Sequence, residues 1–93
     1  MVVGLAVWEL QLPGCRSLKE KRSVVKSLKD RMHNQFNVSV SETALGDSHQ
    51  RAELAATVVS GDRGHANSVL DSLDRFIEGE PRVRVVDSYT RYL

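Results

Sequence analysis

The chain has 93 residues, 41% of them apolar and 27% charged, which suits one ordinary globular domain over residues 1–93 and is too little for two independent cores. Thirteen Lys and Arg against twelve Asp and Glu leave a net charge of +1, which excludes a polycation and argues against a disordered charged tail. The single Cys excludes an internal disulfide and favours a reducing compartment.

Met1 to Val7 is apolar but short, with no basic residue before it and Glu9 close behind, so it does not read as a secretion signal. The longest uncharged run, Met1 to Trp8, falls far below the ~18 residues of a spanning helix. A cytoplasmic protein without membrane association is therefore expected. Val2 to Leu12 reads as a strand. Val3, Leu5 and Val7 alternate with Gly4, Ala6 and Trp8, and both series are largely apolar, as in a central strand covered on each side. Pro13-Gly14 stops it.

Ser17-Leu18-Lys19-Glu20 has the form of a capping box, and a helix is expected from about Leu18 to Asn34. Leu18, Val25, Leu28 and Met32 share one sector, with Val24 on its flank. Lys19, Arg22, Lys26, Lys29 and His33 form an opposing stripe. Residues 16–31 hold seven basic groups against two acids, so the charge of the chain is concentrated there. Phe36 to Glu42 alternates as a half-buried strand, with Phe36, Val38 and Val40 inward and Asn37, Ser39 and Ser41 outward.

Gly46-Asp47-Ser48 marks a loop, and Ala52 to Val59 is a further short strand with Leu54, Ala56 and Val58 in phase. Asp62 or Ser60 caps a second helix, from about Gly64 to Glu78, whose Ala66, Val69, Leu70, Leu73, Phe76 and Ile77 keep three-four spacing. Gly79 and Pro81 end it, and Val83 to Tyr92 is the last strand. The order β-α-β-β-α-β predicts an α+β two-layer sandwich of ferredoxin-like type. Its four-stranded antiparallel sheet carries both helices on one face and leaves the other to solvent, a ligand or a partner.

Ser17-Leu18-Lys19-Glu20-Lys21-Arg22, followed by Phe36-Asn37-Val38-Ser39-Val40-Ser41-Glu42, resembles the YlxP-like family of small bacterial proteins, a domain of unknown function. His49-Gln50-Arg51-Ala52 departs from it, since an aromatic residue is expected near position 49. The resemblance implies a ferredoxin-like fold and no established enzymatic activity. The family's company among translation genes implies a connection to RNA or the ribosome.

The stripe Lys19, Arg22, Lys26, Lys29 and His33 is the candidate nucleic-acid face, suited to successive phosphates; its alternative is a solvated helix side. No aromatic residue interleaves with it, so it is not expected to stack bases. Lys21 falls within the apolar sector. Its stem is expected to lie along the core edge with the ammonium in water, the alternative being a pair with a carboxylate such as Glu42. Ser17 and Glu20 are accounted for as caps, and Asn37, Ser39, Ser41 and Glu42 as the wet side of a strand, the alternative being a small binding surface on the open sheet face.

With Val3, Leu5 and Val7 toward the helices, Trp8 and Leu10 lie on the open sheet face. A sheet-to-sheet homodimer contact is the expected use of these two, ahead of a locally covered tryptophan or base stacking; the third strand lacks aromatics. His33, His49, His65 and Cys15 show no metal-ligand spacing, and no cofactor motif is present, so no metal and no cofactor are expected. An acylphosphatase-like enzyme would use Arg16 in the loop 13–16, which lacks the glycine-rich anion cradle.

Overall fold

The computed structural model describes residues 1–93. Strand β1 (Val2–Gln11) leads into helix α1 (Leu18–Gln35), then β2 (Ser39–Ala44), β3 (Arg51–Ser60), helix α2 (Arg63–Glu78) and β4 (Arg84–Tyr92). The strands form one antiparallel sheet in the order β2-β3-β1-β4. Both helices contribute to a single core with one sheet face, giving the expected α+β two-layer sandwich.

The helix ends follow from local chemistry. The Ser17 hydroxyl accepts from the Glu20 amide, and the Glu20 carboxylate accepts from the Arg16 amide, so the capping box closes one residue outside its usual form. Asp62, not Ser60, caps α2 by accepting from the His65 amide; the Ser60 hydroxyl accepts from the Asp62 amide and shapes the approach. Phe36 is the C-cap of α1 rather than a strand residue, so β2 begins at Ser39. Its ring meets Phe76 edge-on, centroids 6.3 Å apart.

The phase of β1 is opposite to the expectation. Gly4, Ala6, Trp8 and Leu10 face the helices, while Val3, Leu5 and Val7 line the open face. A Cβ on Gly4 would lie 3.0 Å from Leu70 Cδ1, so the glycine lets α2 approach β1 closely at this point. Trp8 then fills the wider space beneath α2, 1% exposed, and its Nε1–H donates to Asp74 Oδ1 at 2.7 Å. Trp8 and Leu10 are therefore core residues, and neither is available to a homodimer interface or to a base.

Candidate functional site

Helix α1 packs Val25, Leu28 and Met32 into the core and so turns its basic stripe outward. Lys19, Arg22, Lys26 and His33 are exposed, and Lys29 is half-buried. Of the four Lys and Arg, only Lys26 meets a carboxylate, Asp30 at 2.7 Å, and both partners are largely in water. Such a pair contributes little to stability and screens its cation only in part. Lys26 holds the Asp30 carboxyl below its usual range, with Lys29 and His33 adding to the effect. The His33 Nδ1 donates to the Val38 carbonyl at 2.9 Å, which fixes the ring at the end of the stripe. Lys19, Arg22 and Lys29 have no carboxylate partner.

Two other cations of α1 are committed elsewhere. Arg31 pairs with the side chain of Glu80, which also takes the Arg82 guanidinium, and Arg31 lies over the Phe76 ring at 5.1 Å. Lys21 is fully buried: it donates to the carbonyls of Leu45 and Arg51 at 2.7 and 3.0 Å and meets Glu42 Oε2 at 2.8 Å. The ammonium does not reach water as expected, because two carbonyls accept its hydrogen bonds and the Glu42 carboxylate pairs with its charge inside the fold. Glu42 accordingly lies on the helix face of β2, opposite in phase to Ser39 and Ser41. The pair with Glu42 is the alternative expected for Lys21, whereas the two carbonyl acceptors, backbone groups of a distant segment, leave no signal in the pattern of side chains.

The loop 13–16 and the first turns of α1 border an open cavity of about 570 Å³, with Cys15, Lys19, Ser23 and Arg82 in its wall. Burial, and next the Glu20 carboxylate, push the Cys15 thiol up, away from the thiolate a reactive cysteine needs. The same carboxylate accepts the Arg16 amide, so that backbone donor of the loop is already engaged. His33, His49 and His65 lie on α1, in the β2–β3 loop and on α2. No group of three or more His, Cys, Asp or Glu is gathered into a metal-ligating cluster. No helix is long and apolar enough to cross a membrane.

The profile of the family described as "Protein of unknown function (DUF503)" matches residues 3–90. The "Uncharacterized protein YlxP" of Bacillus subtilis is 35% identical over 82 residues, which is 88% of this chain and 89% of that one. Among solved structures, a de novo designed protein with ferredoxin fold superposes with a TM-score of 0.53 at 19% identity, covering all of this chain and 83% of the design, which bears on the fold alone.

Proposed function

The chain belongs to the DUF503 family of proteins of unknown function, and from that premise we propose that it is a non-catalytic binding module that seats the outer side of α1 on the phosphates of structured RNA, as on a ribosomal surface. The observation that carries the reading is the set of unpaired cations Lys19, Arg22 and Lys29 on one side of a single rigid helix. From Lys19 to Lys29 the helix rises roughly 15 Å, enough to span several phosphates along a backbone. The side carries no aromatic residue, so it would grip the backbone and read little sequence. Its place on a helix rather than a loop holds the Cα positions of these charges in fixed register, so binding orders side chains but no backbone. The lone, buried Cys15 suits a cytoplasmic setting, where such a partner is found.

Filter binding of a structured RNA to the wild type and to the double variant Arg22→Glu, Lys29→Glu tests the reading. Both positions sit on the outer side of α1, so the fold is retained, which circular dichroism checks. The expected result is a loss of affinity of about tenfold to a hundredfold. Equal retention of RNA by the two proteins overturns it.

A further inference from the structure

The sheet face away from the helices is apolar in its middle and balanced in charge around it. Val3, Leu5, Val7, Ala55 and Val59 lie there on the two central strands. Glu9, Glu53 and Asp87 are matched in number by Arg51, Arg84 and Arg91 on the same face. One cross-strand row is the key: Ser41 opposes Ala55, Ala55 opposes Val7, and Val7 opposes Tyr89. At the β4 end of that row Tyr89 stands out, 52% exposed. At the β2 end Leu5, Ser39, Ser41, Ala55 and Thr57 surround a shallow recess of about 190 Å³. That is smaller than the ~300 Å³ lower bound of ordinary small-molecule pockets.

We infer that this face pairs with a second copy of the chain about a two-fold axis running along the strands between β1 and β3, each Tyr89 entering the other copy's recess. The sheet order puts β4 and β2 at equal distances from that axis, and the register puts projection and recess in the same row. Such an isologous contact is self-complementary: what one copy inserts, the other receives. The central residues then meet one another, Val3 over Val59 and Val7 over Ala55, with Leu5 over Thr57 between them. The equal numbers of acids and bases let the face approach its copy without net repulsion, whereas the basic side of α1 would repel its own. At one end Glu9 comes opposite the second copy's Glu53, and Arg51, which pairs with Glu9 in each copy, offsets that charge. Strands at ~4.8 Å spacing and nine residues at ~3.3 Å make a face of roughly 500 Å² per copy. This falls just below the low end of stable specific interfaces, ~600 Å² per partner, in the range of weak contacts, so the dimer forms and dissociates with concentration. Both α1 stripes point outward from it. The inference stands apart from the RNA reading, since it uses the opposite face.

Sedimentation equilibrium of the full chain from about 1 µM to about 1 mM tests it. The mass is expected to rise from 10.4 kDa toward twice that value. Tyr89→Ser and Ser41→Arg alter exposed side chains, so both variants fold, and each is expected to weaken association at least ~10-fold. A mass fixed at 10.4 kDa across the range overturns the inference. So does a dimer that either variant leaves intact.

Discussion

Lys21→Met is expected to destabilise the fold by about 3–5 kcal/mol, the range for removing one partner of a buried ion pair. Methionine keeps the length of the stem and its contacts in the apolar sector of α1, so packing changes little. The ammonium is lost, and with it all three of its contacts. Glu42, 21% exposed at its side chain, is left as a poorly solvated carboxylate. The Leu45 and Arg51 carbonyls lose donors at 2.7 and 3.0 Å. Leu45 is the one non-glycine residue at positive φ, 65°, a conformation that costs a leucine on the order of 1 kcal/mol and that the Lys21 contact helps to hold. A domain of this size has a total stability of only ~5–14 kcal/mol, so the urea midpoint should fall steeply. Amide exchange should quicken first across residues 45–50. Adding Glu42→Leu to Lys21→Met should recover part of the loss, because it removes the stranded charge. A loss under about 1 kcal/mol for Lys21→Met alone would show that the ammonium is not held as described.

The second large effect is a pH dependence centred on Glu80. Its side chain is 5% exposed and takes both the Arg82 and the Arg31 guanidinium, joining the α2–β4 turn to the C-terminal third of α1. Arg82 chiefly, then Arg31, hold its carboxyl down at about 2, against an ordinary value of 4.5. A carboxyl depressed in the folded state contributes its full stabilisation above the unfolded value. It loses that contribution as pH falls through the interval from 4.5 toward about 2. Both guanidiniums are nearly half exposed, so solvent screens the cluster and its contribution at neutral pH is about 2 kcal/mol. Glu80→Gln should therefore lower stability by that amount at pH 7 and by almost nothing near pH 2, as read from urea unfolding at the two values. An equal loss at both would mean that packing, not charge, is what the residue supplies.

Element order and the basic side of α1 could be read from the residues because each rests on local chemistry. Caps at Ser17 and Asp62, a stop at Gly79 and three-four spacing along α2 act within one element. The phase of β1 could not be read from apolar alternation, since both series are apolar. Yet Glu9 shares the phase of Val3, Leu5 and Val7, and a carboxylate in that series already marks it as the water side. The buried state of Lys21 escaped the residue pattern for a different reason. Its angle on the helix places it among apolar side chains, but only the return of residues 45 and 51 beside α1 supplies carbonyls for it. Glu80 stands next to Gly79 and Pro81, where the sequence signals only the end of a helix; its partner Arg31 comes from another element. The recess opposite Tyr89 exists only once four strands are placed side by side.

RNA docking through α1 requires cations that no carboxylate of the fold neutralises, here Lys19, Arg22 and Lys29. The dependence of RNA affinity on salt measures this most directly, because each phosphate contact releases counterions. Three to four such contacts predict a slope of log K against log salt of about −2 to −3.5. Arg22→Glu with Lys29→Glu should flatten that slope by about 2. A wild-type slope near zero, or one that the double variant leaves unchanged, would contradict the assignment of this helix as the RNA face.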